Sequence, residues 1–179
     1  MPFMYSSSGS LHVNASGPGK GAGLDLIAVT SFSAVASVSV DNCFTATYAR
    51  YRVVMDYTTS ASAIVSMRWR ASGADNSSAT YNTQNADSSN VTVFTRAVSA
   101  TSAVLTIANG AGTQFWHSFD VYDPNLSAQT VHSGMSFLSL SSNIHGSVFT
   151  GTNAFDGFSI FPASGTISGG LRVYGYRNA

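Results

Sequence analysis

Apolar and polar residues alternate with a period of two in segment after segment between Leu24 and Tyr176, and no stretch sustains a 3.6-residue repeat. In an extended chain successive side chains point to opposite faces, so this pattern predicts strands with one buried face. Phe32, Ala34, Ala36, Val38 and Val40 share one parity against Ser31, Ser33, Ser37 and Ser39. Tyr51, Val53, Met55 and Tyr57 oppose Arg50, Arg52 and Asp56; Ala63, Val65, Met67 and Trp69 oppose Ile64, Ser66, Arg68 and Arg70. The link Thr58–Ser62 between these two segments is short enough for a hairpin. Further strands are expected near Val91–Arg96, Ala103–Ile107, Phe115–Tyr122, Ser136–Leu140, Val148–Thr150, Gly157–Phe161 and Thr166–Tyr176. The chain reads as roughly nine or ten strands in an all-β fold, an antiparallel β-sandwich of jelly-roll-like type.

The charge inventory points the same way. Glutamate is absent, Lys20 is the only lysine, and charged residues make up 9% of the 179, against about 25% in ordinary soluble domains. Exposed helices draw on Glu, Lys, Gln and Arg because these lose little rotamer freedom there, whereas Ser, Thr, Asn and Gly decorate strands and turns. With a formal net charge of +0, little repulsion keeps copies apart, so self-association as a homo-oligomer, with a trimer favoured, is expected. Neutrality also argues against nucleic acid as a partner. The longest apolar-leaning stretch, Leu24–Val40, is interrupted by Asp25, Thr30 and four serines, too polar for a membrane span of about 20 residues.

Two regions lack the alternation. Residues 1–23 are rich in Gly and Ser and read as an extended N-terminal arm, with residues 24–179 as the sandwich domain. Residues 72–90 hold little that is apolar beyond Tyr81 and read as a long exposed loop, a kind of segment often used for function. The opening residues have neither the basic start nor the apolar block of a secretory signal. Cys43 is the sole cysteine, which excludes an internal disulfide and a cysteine-based zinc site.

No residue pattern supports catalysis. Gly17-Pro18-Gly19-Lys20-Gly21 has glycine where a phosphate-binding loop needs Ser or Thr after the lysine. His12, His117, His132 and His145 form no HxH or HxxxH pair; His117 shares the Phe115/Phe119 parity and reads as a hydrogen-bonded core or interface residue and not a ligand. Asp75 and Asp87 lie in the polar stretch as calcium candidates, without the terminal Glu of an EF-hand. No nucleophile elbow occurs, and Cys43 has no histidine near it in sequence. Asn14, Asn76, Asn90 and Asn125 each match the glycosylation acceptor pattern, a frequent coincidence in a chain so rich in Ser and Thr. Arg50, Arg52, Arg68 and Arg70 would form a small basic patch across the expected hairpin, or simply solubilising charge paired with Asp56. Tyr81, Tyr174 and Tyr176 are candidates for packing or for contact with a partner. No catalytic, metal or cofactor-binding residue is assigned, and no cofactor is expected.

Two stretches resemble known proteins. FDGFSIFPASGTISGGLRVYGYRN, residues 155–178, is similar to the closing segment of many virion proteins of tailed bacteriophages. YARYRVVMDYTTSASAIVSMRWRASGADNSSATY, residues 48–81, resembles a hairpin with Tyr-x-x-Tyr-Arg and Arg-x-Arg-x-Ser-Gly motifs from the same group. Together they span about a third of the chain. The resemblance implies a non-catalytic β-sandwich on a virion surface, either a capsid decoration protein or a tail-fibre module. Without a fibre shaft or heptads, the chain is expected to be a decoration or cement protein made in the host cytoplasm. It would bind the major capsid shell partly by strand addition of its arm. The alternative is a tail component that recognises host-surface glycans through the 72–90 segment.

Overall fold

The computed structural model describes residues 23–88, 93–138 and 141–177. Among them are thirteen strands and no helix: β1 (Leu24–Val35), β2 (Val38–Val40), β3 (Arg50–Thr59), β4 (Ala63–Ala71), β5 (Ala74–Asp75), β6 (Tyr81–Asp87), β7 (Val93–Ala100), β8 (Ala103–Asn109), β9 (Gln114–Tyr122), β10 (Thr130–Leu138), β11 (Ser141–Phe149), β12 (Gly157–Pro162) and β13 (Ile167–Tyr176). They form an all-β antiparallel sandwich. One sheet has eight strands in the order β1-β13-β3-β9-β10-β11-β6-β7; the other runs β2-β12-β4, with β5 and β8 paired to β4. Most of the arm, with His12, Asn14, Lys20 and the Gly17–Gly21 stretch, lies outside the described residues, as does Asn90.

The expected alternation fills the space between the sheets. Tyr51, Val53, Met55 and Tyr57 of β3 face inward as predicted and meet Met67 and Trp69 of β4 and Phe158 and Ile160 of β12, all at 2% exposure or less. Burying side chains of this size contributes roughly 1.5–3 kcal/mol each. Aromatic rings dominate the centre: Phe44 lies 4.8 Å from Tyr51 and 5.7 Å from Phe158, and Trp69 stacks 5.9 Å from Phe155.

Three expectations are corrected. The stretch from Leu24 to Val40 is not one strand. The register slips between Phe32 and Val35, Ala34 adopts a positive φ of 50°, and its N–H bonds the Ser168 hydroxyl at 2.8 Å. At this corner the chain leaves the large sheet and continues as β2 in the small one, so Ala34 and Ala36 are exposed while Val38 and Val40 are buried. Bulges of this kind let a strand switch sheets.

Likewise, Thr58–Ser62 does not close a hairpin. Both edges of β3 are taken by β13 and β9, so β4 crosses to the other sheet and pairs with β12, β8 and β5. The crossing is held by the Ser60 N–H on the Thr166 carbonyl (2.9 Å) and the Thr166 N–H on the Ser60 hydroxyl (2.8 Å).

The third correction concerns residues 72–90, which are not a long loop. β5 and β6 take up nine of the described residues 72–88, and β6 is an interior strand between β11 and β7. Its alternation is hard to see in the sequence because the inward set is Tyr81, Thr83, Asn85 and Asp87, polar after the first residue. Tyr81 is a cross-sheet tie and not a contact residue. Its buried hydroxyl donates to the Asn76 carbonyl (2.8 Å) and accepts from the Trp69 N–H on the facing sheet (3.0 Å). Replacing Tyr81 by Phe would leave the buried Trp69 N–H without that acceptor, at a cost of about 1–3 kcal/mol. Urea unfolding of Y81F measures this directly, and an unchanged midpoint would show that the tie carries no load.

Candidate functional site

The same parity rule that fills the core under β3 and β13 gives an opposite result in β10 and β11. Inward positions there include His132, Gly134 and Ser136 on β10 and Asn143, His145 and Ser147 on β11, joined by His117 on the otherwise apolar inner side of β9 and by Thr83, Asn85 and Asp87 on β6. The outward positions of β9, β10, β11 and β7 hold the large exposed apolar groups. Exposure reaches 78% at Phe94, 58% at Ile144, 52% at Trp116 and 48% at Phe137. Strand pairing puts Ser118, Met135, Ile144, Ala86 and Phe94 in one row across five strands, with Trp116 and Phe137 paired beside it. A groove of about 890 Å³ follows this face over β10, β11, β6 and β7, with Phe94, Ile144, Val148, Gln84 and Arg96 among its walls. A smaller hollow of about 250 Å³ lies between Val54, Trp116 and Phe137. An exposed apolar row of this kind is the first place to look for an interaction surface.

Charge stands beside this row and is internally satisfied. Arg52 forms a bidentate pair with Asp120 (2.8 and 2.7 Å), and the Tyr176 hydroxyl donates to the same carboxylate at 2.8 Å. Burial alone would raise the Asp120 carboxyl, but the Arg52 and Tyr176 hydrogen bonds outweigh it and hold the group below the usual carboxylate range. The expected four-arginine patch does not exist, because β3 and β4 belong to different sheets. Arg70 bonds Asp41 (2.7 Å) and Asp75, while Arg68 bonds the Thr101 carbonyl (3.0 Å) and covers the Phe161 ring at 4.7 Å. Asp56, the partner expected for these arginines, pairs with none of them in an ion pair among the described residues.

Behind the apolar row, the histidines that sequence keeps far apart come together. His117 and His145 face each other with 2.6 Å between their Nε2 atoms, so one ring donates the shared hydrogen bond and the other accepts it. His132 lies 5.4 Å from His145, between Phe119 at 5.5 Å and Trp69 of the opposite sheet at 5.8 Å. Gly134 makes this possible. It sits inward on β10, paired with Phe119 on one side and His145 on the other. With no side chain there, the rings from β9 and β11 meet over the intervening strand. Burial, reinforced by the neighbouring rings, keeps His117 and His132 well below the ordinary value, and burial lowers His145 to about 4.

The hydrogen-bonded core position expected for His117 is therefore found, and its partner is His145. No group of three or more His, Cys, Asp or Glu among the described residues is arranged to hold a metal ion. The calcium candidates are apart: Asp75 is engaged by Arg70 at the surface, and Asp87 is buried on β6. Cys43 is buried, and burial pushes its thiol up to about 12, which leaves an inert group.

No protein-family model and no curated protein sequence matches the chain. Among solved structures, it is similar to the galectin LEC-6 of Caenorhabditis elegans at a TM-score of 0.36 and 9% identity, over 83% of this chain and 96% of that one. It is also similar to a protein of unknown function from Shewanella oneidensis MR-1, at a TM-score of 0.21 and 10% identity, over 87% and 77% of the two chains. The sandwich itself is plain from the strand pairing.

A side chain at position 134 would test the close approach of β10 to β9 beside the histidines. A Cβ there would collide with the Ser118 carbonyl oxygen and the Phe119 Cβ, and would stand 2.6 Å from the Phe119 Cα. Gly134→Ala is expected to destabilise the fold by about 1–3 kcal/mol or more through overpacking. Gly146→Ala, whose Cβ would meet nothing nearer than the His132 carbonyl oxygen at 3.6 Å, is the matched control in thermal melts.

Proposed function

We propose that this chain is a non-catalytic structural protein of a tailed-bacteriophage virion. It decorates the capsid shell and binds both the shell and copies of itself through the outer face of its eight-stranded sheet. The observation that supports this most is the inverted polarity of β10 and β11, where apolar residues face outward and polar ones inward, with Trp116 of β9 and Phe94 of β7 exposed on the same side. A free monomer gains nothing from that arrangement, whereas a docked subunit buries Trp116, Phe137, Ile144 and Phe94 on assembly. The sheet spans eight strands at about 4.8 Å spacing and is about nine residues deep. Its face thus offers on the order of 1,000 Å², enough for a standard protein interface.

The second reading, a tail-fibre module that binds host-surface glycans, shifts from the 72–90 segment to the groove over β10, β11, β6 and β7. There Gln84 and Arg96 stand beside exposed Phe94, giving polar donors next to a ring.

Phe94→Ser/Phe137→Ser/Ile144→Ser removes apolar surface without touching the core. Sedimentation velocity should show the wild-type chain associated at micromolar concentration and the triple variant monomeric, with melting points within about 3 °C of each other. A monomeric wild type would overturn the docking reading. Gold-labelled antibody against the purified chain should mark the heads of intact virions from its source. Label confined to tail tips would favour the glycan reading, and unlabelled particles would reject both.

A further inference from the structure

Strand parity ties the histidine cluster to the apolar row. Trp116 and His117 are neighbours on β9 with side chains on opposite faces, and Ile144 and His145 are neighbours on β11 in the same way. Any movement that relieves the inner rings is transmitted to the outer face within one residue.

We propose that His117, His132 and His145 form an acid-operated release. Neutral rings hold β9, β10 and β11 against the second sheet near pH 7, and protonation drives these strands away from it and breaks up the apolar docking row on their outer side. The switch stands on the cluster's own geometry; its consequence for assembly rests on the docking reading above.

The residues paired directly with the rings carry no charge to compensate an added proton. His117 is paired across the strands with Met55 on β3 and Ser136 on β10; His132 with Val121 on β9 and Ser147 on β11; His145 with Gly134 on β10 and Asn85 on β6. The opposite sheet contributes Trp69 over His132, and Phe158 of β12 packs on Phe119 at 6.2 Å. Ala103, Leu105 and Thr106 are buried residues of β8, the strand that also lies over β6 and β11. Among charged groups, Asp87 is the one buried aspartate of the described residues. It lies on β6 opposite Asn143, one inward position beyond the Asn85/His145 pair. The buried phenols of Tyr57 on β3 and Tyr81 on β6 are pushed up by desolvation and stay neutral throughout. Neither ring nitrogen of His132 has a hydrogen-bond partner among the described residues. Protonating His117 or His145 while the other is protonated would place two cations 2.6 Å apart.

The direction of the effect follows from linkage. Each ring has a folded-state value below the ordinary 6.5, so between these values the unfolded chain binds more protons than the folded one. Stability is complete above pH 6.5 and falls as the pH drops. With His145 lowered from 6.5 to about 4, this ring alone shifts the folding equilibrium about 80-fold by pH 4.5. If all three rings take part, the slope approaches about a thousandfold per pH unit.

The test uses the full chain, with urea unfolding followed by tryptophan fluorescence from pH 8 to pH 4.5 and sedimentation velocity at pH 7.5 and pH 5. Two variants accompany the wild type. In His132→Phe, a phenyl ring takes the place between Trp69 and Phe119; in His145→Gln, one partner of the short contact becomes an uncharged amide. The wild type should lose stability steeply below pH 6.5 and dissociate at pH 5. Each variant should lose about one proton of slope, a tenfold shallower fall per pH unit. A wild-type equilibrium that changes less than about tenfold between pH 7 and pH 4.5 overturns the release. So does an identical slope in both variants. A steep slope in a chain that never associates would leave the release standing and reject the docking reading; association that persists to pH 5 alongside a flat slope would do the reverse.

Discussion

Parity is the constraint on which the rest of this molecule depends. A strand between two neighbours in a sandwich has one inner and one outer face, and each residue's place in the chain decides which it occupies. In β3 and β13 the inner parity is apolar, with Tyr51, Val53, Met55 and Tyr57 facing Ile167, Leu171 and Val173 along the sheet. In β10, β11 and β6 the inner parity is polar, and a one-residue slip that put Met135, Phe137 and Ile144 inside would require the register to change against β9 and β6 together. The short His117–His145 contact and the empty position at Gly134 fit the register as it stands. The interior thus divides into an apolar half and a polar half, and the polar half forces the exposed apolar row behind it.

Ionic groups are few, and they are used where strands leave the regular lattice. Arg70 ties β4 to Asp41 after β2 and to Asp75 in β5, closing the edge of the small sheet. Asp25 accepts from the Tyr48 hydroxyl (2.7 Å) and from Arg177 (2.8 Å), which fastens the edge strand β1 to the chain on both sides of β3 and β13. Pairs this exposed add little stability each. Their value lies in fixing loops and edges, and the outward positions of β10, β11 and β6 carry no charged side chain.

Fold class was legible because β3, β4, β9, β12 and β13 carry their apolar residues on the inner parity. What escaped was sheet membership and the orientation of the polar strands. Alternation tells that Arg50–Tyr57 and Ala63–Arg70 are strands but not that both edges of β3 are already occupied, which is information held in β9 and β13. The sequence TVHSGMSFL offers Val131, Met135 and Phe137 as the more apolar parity, and the physics of burial would place that set inside. The structure puts His132, Gly134 and Ser136 there. Only the meeting of three histidines from three strands, invisible in a linear reading because 28 residues separate the closest contact, explains why. Tyr81 was misread for a related reason. Followed inward by Thr83, Asn85 and Asp87, it looks like the lone apolar residue of a loop when it is the first inward residue of a strand.

The two unusual faces of β9, β10 and β11 explain each other energetically. Burying histidine, asparagine and serine under β8 and β4 costs desolvation that hydrogen bonds among the described side chains only partly return. Exposing Trp116, Phe137 and Ile144 gives up the gain that burial of these groups would provide. A chain of this length that forgoes both in the same three strands recovers the second only when another surface covers the row. Stability of the half-sheet is then shared between its inner rings, which must stay neutral, and its outer contacts, which must be made. Either one alone leaves these strands the weakest part of the sandwich, so the strands that bind are also the strands best placed to let go.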